Sequence, residues 1–423
     1  MGVAYGADAG RSDWHLWPMA LRYIPIQLKH ARTPRIQHFA LLAGLEAAVR
    51  ASLVSSMPLA VRDAMGSTLG SSKVYFWVGV ISLFWGLMVP WASRFVPRRW
   101  MYTLGVGLYF VGTALALMGT PVAVSLALGA YSMATATTFV CFNAYVLDYI
   151  ERANLGQMQS TQMVYAAAPW AIGPVLGVWL HDVWKPAPFL LAGGFAIALM
   201  TAFWILRMGN GKQITKAKRP AVNPLAYLGR FFQQKRLIAG WMFAVVRSVG
   251  WWVYVVYLPY FCIEQGLGNK VGGVALSLSN VLLFISPFML TAVRRSSVRV
   301  SVRLAFLLCG CLFLASALLA PLPWLAVIAM MAASVFLVLL DVVGGLPFMM
   351  SVKPSERTEM SAVYSSFRDV SSILTPGVAW AVLAVAPTAA IFAVCAGGMA
   401  AAYGVAGRLH PRLGVIRPSR GKG

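Results

Sequence analysis

Acidic residues are scarce in this chain, with 12 Asp and Glu among 423 residues against 35 Lys and Arg. Charged residues of either sign make up only 11%, where a soluble domain carries roughly 25%. That shortage excludes an ordinary water-facing surface. Cysteine is equally sparse: Cys141, Cys262, Cys309, Cys311 and Cys395 all fall in or beside apolar runs. Cys309-x-Cys311 has no His or acidic neighbour, so the cysteines read as small apolar residues and not as a disulfide frame or metal site. The five histidines (His15, His30, His38, His181, His410) lie outside those runs or at their edges, which argues against a histidine-based site within them. No Walker lysine loop and no HExxH pattern occurs, excluding ATP-driven transport by this chain alone and zinc proteolysis. The sequence therefore offers no catalytic constellation, no metal site and no cofactor motif, and does not read as an enzyme.

What fills the chain instead is apolar sequence: hydrophobic residues make up 59% and mean hydropathy is +0.72. A spanning helix needs about 20 mostly apolar residues. Twelve such runs lie near 36–60, 74–93, 101–119, 122–147, 161–181, 187–207, 237–262, 272–293, 304–320, 322–349, 362–384 and 387–408. No signal-peptide pattern opens the chain. Residues 1–35 read as a cytoplasmic segment in which Trp14, Trp17, Leu21, Tyr23, Ile24 and Leu28, mixed with Arg22 and Lys29, are compatible with an amphipathic stretch on the membrane surface or with a disordered tail.

The formal charge of +23 would suggest a nucleic-acid binder in a soluble protein. Threaded through a membrane, it reports topology. With the N-terminus inside, 28 of the 35 Lys and Arg residues fall on the inner side. Only Arg62, Lys73, Lys185 and Lys270 fall outside, and Arg50, Arg247 and Arg368 lie within spans. This sorting is the positive-inside pattern. It places both termini in the cytoplasm of a multi-pass protein of the inner (cytoplasmic) membrane, with anionic lipid, and no nucleic acid, against its basic face.

A basic loop at 208–236 divides the chain into halves, 36–207 and 237–408, with a basic tail at 409–423. Offset by 200 residues, spans 2 to 4 align without a gap: Leu83-Phe84 with Leu283-Phe284, Arg94 and Arg99 with Arg294 and Arg299, Pro121 with Pro321. Ala43-Gly44 before Arg50 echoes Ala239-Gly240 before Arg247, and Pro174 echoes Pro376. Duplicated six-span halves are a recurrent transporter plan. The expected fold is an all-α polytopic membrane protein of twelve transmembrane helices in two pseudo-symmetric six-helix bundles.

Two local patterns carry a resemblance. Gly173-Pro174-Val175-Leu176-Gly177 in span 5 resembles the Gly-Pro-x-x-Gly core of the antiporter motif of the major facilitator superfamily, with Val178 where a further Gly is customary. Ser93-Arg94-Phe95-Val96-Pro97-Arg98-Arg99 is similar to that family's basic loop between spans 2 and 3, with Ser93 in place of its acidic residue. The resemblance covers about residues 36–408. It implies that spans 1, 4, 7 and 10 line a central cavity.

An ionisable group at mid-bilayer costs a few kcal/mol and normally faces a cavity or a partner. Glu46 and Arg50 sit four apart on one helix face and can pair. Arg247 lies at a similar level of span 7 and Asp341 in span 10. Glu46 and Asp341 are candidate proton-coupling carboxylates, because desolvation and a nearby Arg pull a carboxyl pKa in opposite directions. Arg50 and Arg247 are candidate substrate or counter-ion groups; a static packing pair is the alternative. Trp251, Trp252 and Tyr254 are candidate stacking residues, or part of an interfacial aromatic belt. Asn143, with Thr135, Thr137, Thr138 and Tyr145, forms a polar run on span 4. Gly250 before the tryptophans allows local bending of span 7.

Hinge or gate candidates are Gly173, Pro174, Gly177, Arg94, Arg98, Arg99, Asp148, Arg368 and Asp369. Arg368 and Asp369 are adjacent, about 100° apart on a helix, and cannot share one face. Asp148 with Glu151 and Arg152, and Glu356, Arg357 and Glu359 in the second half, read as loop charges before gate charges. The expected function is a proton-coupled secondary transporter, acting as a monomer, that moves a small-molecule substrate by alternating access. Export is placed ahead of uptake of an anionic nutrient; a non-pumping assembly factor or lipid or pigment handler is the rival class.

Overall fold

The computed structural model describes residues 36–93, 95–150, 155–206, 229–282, 298–344, 347–348, 360 and 363–408. Helices occupy α1 (Ile36–Leu53), α2 (Ser56–Met65), α3 (Thr68–Ala92), α4 (Arg98–Leu117), α5 (Pro121–Tyr149), α6 (Leu155–Val183) and α7 (Ala187–Ile205) in the first half. The second half has α8 (Lys235–Trp252), a π turn (Val253–Tyr257), α9 (Leu258–Glu264), α10 (Asn269–Val281), α11 (Val298–Leu318), α12 (Pro323–Val343), α13 (Phe367–Leu383) and α14 (Ala389–Ala406). Every one of the twelve apolar runs thus holds helix. Ten described stretches are long and apolar enough to cross a membrane. The eighth and eleventh runs are represented by α10 and α13, of 13 and 17 residues.

A helix is the only open-chain element that satisfies every backbone group internally in lipid, so the apolar runs leave little choice. Helix bounds differ from the apolar runs where polar caps intervene. The third helix starts at Thr68, not 74, because Gly66 takes a left-handed φ of 71° that closes α2, and Ser67 then caps α3 by accepting from Gly70 N at 3.0 Å. The same device recurs between α4 and α5. Gly119 has φ 67°, Thr120 accepts from Ala123 N at 3.3 Å, and Pro121 opens the helix. A left-handed Gly followed by a Ser or Thr cap reverses the chain in a few residues.

The first span breaks at residues 54–55, between α1 and α2. Ser52 Oγ bonds back to the carbonyls of Ala48 (3.0 Å) and Val49 (2.9 Å), and Ser56 Oγ to that of Ser52 (2.9 Å). Such back-bonding competes with the helical ladder and bends it. The seventh span carries its irregularity at the π turn, where Leu258 N–H reaches Val253 O. Pro259 has no N–H for the carbonyl at 255 and its ring crowds it, so the chain upstream widens by one residue. Gly250, expected to permit a bend, lies in regular helix; a Cβ there would stand 2.6 Å from Met399 Cε and 2.8 Å from Leu337 Cδ2. Its small size serves packing, and the proline supplies the irregularity.

The halves meet along two seams, α3 against α13 and α6 against α10. Exchange of the halves interchanges these seams, as a two-fold requires. Small residues line both: a Cβ on Gly79 would lie 2.8 Å from Ser372 O, and one on Gly273 3.1 Å from Pro174 O. Val175 N–H donates to Ser277 Oγ across the second seam at 3.0 Å.

Within the first half, α6 crosses α1 closely. A Cβ on Gly173 would stand 2.6 Å from Ala51 Cβ, and one on Gly177 would collide with the Ser52 carbonyl oxygen. The Gly-Pro-x-x-Gly stretch is therefore a helix-crossing surface placed beside the break in span 1. Gly177→Ala is expected to destabilise the folded protein by about 1–3 kcal/mol, read as a lowered thermal midpoint in detergent. Gly194→Ala, with open space around its Cβ position, is expected to leave the midpoint unchanged.

Candidate functional site

Charge distributes unevenly along the bundle. The described Arg98, Arg99, Arg230, Lys235, Arg236, Arg299, Arg303 and Arg408 sit at or beside the helix ends of one face, here the basic end. Arg62, Lys73, Lys185 and Lys270 mark the opposite end. Between the two ends, ionisable side chains of both halves occupy the interior.

In the first half, Arg50 Nε lies 2.8 Å from Glu46 Oε1 on the same face of α1. Tyr109 of α4 donates to the same Glu46 oxygen at 3.1 Å and lies 3.1 Å from Thr135 Oγ1 of α5. The Arg50 guanidinium rests 5.4 Å from the ring centroid of Trp170 on α6. Four helices therefore converge on one ion pair. Glu46 is 15% exposed and Arg50 38%, so the arginine faces open space while the carboxylate is held from behind.

The second half repeats the chemistry with a different arrangement. Arg247 Nε of α8 lies 3.1 Å from Asp341 Oδ1 of α12. Trp251, one turn beyond Arg247, donates its indole N–H to Asp341 Oδ2 at 2.9 Å. Arg247 lies 5.2 Å from the Phe367 ring centroid. Here the carboxylate is the more open partner, 36% exposed against 13% for Arg247.

Arg368 joins the two halves. It projects from α13 to within 4.9 Å of the Phe139 ring centroid on α5 and 5.6 Å of that of Phe367. The residue as a whole is exposed, and its charge is close enough to feel those of Arg50, Arg247 and Asp369. Asp369, the next residue, is half-buried. Among the described residues Arg368 makes no ion pair, in contrast to Arg50 and Arg247.

The remaining candidates have other surroundings. Trp252 meets Tyr75 of the other half edge-on at 6.1 Å. Tyr254 is buried, with its hydroxyl 2.6 Å from Ser279 Oγ and 3.1 Å from Ala275 O, so its polar atom is used within the second half. Asn143 is half-buried on α5. Arg98 stacks 5.5 Å from the Tyr145 ring centroid, and Arg99 O accepts from Thr103 at 2.9 Å. Arg94, Glu151, Arg152, Glu356, Arg357 and Glu359 lie outside the described residues, as does the side chain of Asp148.

The hydrogen bonds that tie span 7 to the first half gather toward the opposite end. Tyr260 donates to Pro58 O at 3.0 Å, Tyr257 and Ser72 hydroxyls lie 3.0 Å apart, and Thr68 donates to Glu264 Oε1 at 2.5 Å. Asn269 adds a bond to Asp182 Oδ1 at 2.9 Å. None of these partners was foreseen from sequence; nor were Tyr109, Trp170 and Phe139. Polar and aromatic residues in an apolar helix signal a partner somewhere, but which helix supplies it is set by the bundle.

A bundle of apolar helices in two related halves, with paired charges inside and a tyrosine-closed end, defines a membrane transporter. The family model of the Major Facilitator Superfamily matches residues 39–376, and the chain belongs to that family. Similar solved structures include a POT family transporter in complex with 5-aminolevulinic acid (TM-score 0.70, 11% identity, 88% of this chain and 94% of that one). A bacterial homologue of the iron transporter ferroportin, in its inward-facing state, follows (0.67, 15%, 88% and 97%). The nucleoside transporter NupG is similar to the same degree (0.64, 14%, 89% and 99%). At these identities the likeness concerns the fold alone. No curated protein matches in sequence.

Removing one member of a low-dielectric ion pair leaves the other uncompensated, whereas removing both does not. Asp341→Asn is expected to destabilise the protein by about 1–3 kcal/mol, the exposure of Asp341 keeping the cost below that of a fully buried pair. The double variant Arg247→Met with Asp341→Leu is expected to recover part of that loss. Thermal midpoints of Arg247→Met, Asp341→Leu and the double variant measure it; strictly additive losses contradict a functioning pair.

Proposed function

We propose that this chain is a proton-coupled secondary transporter of a small organic solute, working by alternating access in the inner (cytoplasmic) membrane. The observation that carries the reading is the matched pair of arginine–carboxylate contacts, Glu46–Arg50 and Arg247–Asp341, one inside each half. A carboxylate whose partner is an arginine stays charged while paired. If rocking of the halves lengthens that contact, the low-dielectric surroundings favour protonation. Each carboxylate is then a place where a proton is taken up in one conformation and released in the other.

The positive-inside pattern sets the basic end toward the cytoplasm, with both termini there and anionic lipid against the arginines. The tyrosine and serine contacts lie at the outer end, so the arrangement is closed outside, and a solute enters or leaves from the cytoplasm. The seams α3–α13 and α6–α10 serve as the rocking surfaces, with Gly173, Pro174 and Gly177 at the hinge between α6 and the broken first span. Export follows from the Gly-Pro stretch that resembles the antiporter motif. Uptake of an anion together with protons is the second reading, favoured by the three arginines that face the interior. The protein functions as a monomer.

The test is flux in proteoliposomes carrying an imposed pH gradient. The wild type is expected to accumulate its solute against a concentration difference. Asp341→Asn or Glu46→Gln is expected to abolish gradient-driven accumulation while keeping gradient-independent exchange of labelled for unlabelled solute. Accumulation that survives both substitutions contradicts the assignment of the coupling groups.

A further inference from the structure

Arg368 stands apart from the other interior charges. Arg50 is matched by Glu46 and Arg247 by Asp341. Arg368 has two aromatic rings, Phe139 and Phe367, and feels two like charges, Arg50 and Arg247, against the one opposite charge of Asp369. The adjacent Asp369 points about 100° away around the helix, and the two form no ion pair among the described residues. Among the described residues, then, Arg368 is the interior arginine without a direct ion-pair partner, and the residue is exposed.

While the inner end is open, water solvates this guanidinium. When the halves close over it, that solvent is lost, and a desolvated arginine beside two others is costly unless an anion accompanies it. Arg368 belongs to the second half, and the ring beneath it, Phe139, to the first. Arg50, also of the first half, stacks on Trp170 with its side chain 38% exposed. An anionic group between Arg368 and Arg50 would be held from both halves at once. A planar or apolar body attached to it would meet Phe139 and Trp170.

We infer that the solute is a small organic anion with a planar apolar body, its carboxylate or phosphate held by Arg368 and Arg50 across the two halves. This rests on the transporter reading above and names its substrate class. The anion supplies the direct hydrogen-bonding partner that Arg368 lacks among the described residues once closure removes its water, so the loaded transporter occludes and the empty one does not. A fork-shaped guanidinium suits a carboxylate or phosphate through paired N–H donors, which an ammonium cannot imitate fully.

The probes are benzoate and phenyl phosphate, with acetate, benzyl alcohol and benzylamine as controls, added to the purified full-length protein in detergent. Binding is read as a saturable rise in thermal midpoint. Benzoate or phenyl phosphate is expected to bind at least about tenfold more tightly than acetate, with no saturable effect of benzylamine or benzyl alcohol. Arg368→Gln is expected to weaken binding about tenfold or more, and Arg368→Lys to restore part of it. Phe139→Leu is expected to weaken the aromatic anions and leave acetate unchanged. Each variant's midpoint without ligand shows whether it is folded.

Tighter binding of benzylamine than of both aromatic anions overturns the inference, as does affinity unaffected by Arg368→Gln or the absence of saturable binding by either anion. The two readings fail separately. Proton-driven flux of a cationic solute sinks the anion class and keeps the transporter mechanism. Anion binding without proton-driven flux does the reverse.

Discussion

Charge cannot rest in hydrocarbon without a partner, and the organisation of this protein follows from that constraint. Eight of the described Lys and Arg residues escape it by collecting at one end of the bundle, from Arg98 and Arg99 to Arg408. The few that do not are held with deliberate chemistry. Glu46 and Arg50 are neighbours on one helix, supported by Tyr109 and Trp170 from two others. Arg247 and Asp341 come from different helices and are joined by Trp251. Each pair ties together helices of its own half, so each half carries its own charged core.

The boundary between the halves has different physics. Its two seams combine close backbone approach at Gly79 and Gly273 with larger contacts, such as Phe76 of α3 against Trp380 of α13 at 6.0 Å. At the end away from the basic one, hydroxyl bonds join span 7 to spans 1 and 2, each worth about 1–3 kcal/mol. Interfaces of this kind separate at modest cost. Charged pairs held inside each half, close-packed seams between the halves and hydroxyl bonds at one end are the contacts that any movement of the halves has to rearrange.

Much of the fold was legible in the sequence because a membrane enforces it. Apolar runs of sufficient length must become helices, and every one of the twelve holds helix. The interior charges could be picked out for the same reason: Glu46, Arg50, Arg247 and Asp341 are residues that lipid would exclude. Their pairing was only half legible. The spacing of four residues announces Glu46–Arg50, whereas Arg247 and Asp341 are 94 positions apart and only the packing of α8 against α12 joins them. Arg368 reads from sequence as half of a charged dipeptide, and only its position over Phe139 shows that it reaches the other half. Gly250 marks the limit of local rules: a glycine in a helix reads as flexibility, but here the neighbours Met399 and Leu337 occupy the missing side chain's space, and Pro259 sets the irregular turn. Tyr254 makes the same point, since an aromatic near a tryptophan pair reads as cavity wall until its hydroxyl is found on Ser279.

The central claim is that the two halves expose one charged interior alternately to the two faces of the membrane. Its most direct measurement is the labelling of a single cysteine at position 139, in a chain whose five native cysteines are replaced, by a membrane-impermeant thiol reagent. The reagent is applied to sealed, oriented vesicles from one side at a time. The account predicts labelling from the basic side in the resting protein, and labelling from the other side when Tyr257→Phe and Tyr260→Phe release the outer contacts. Labelling from a single side under every condition, whatever the state of those tyrosines, would contradict it.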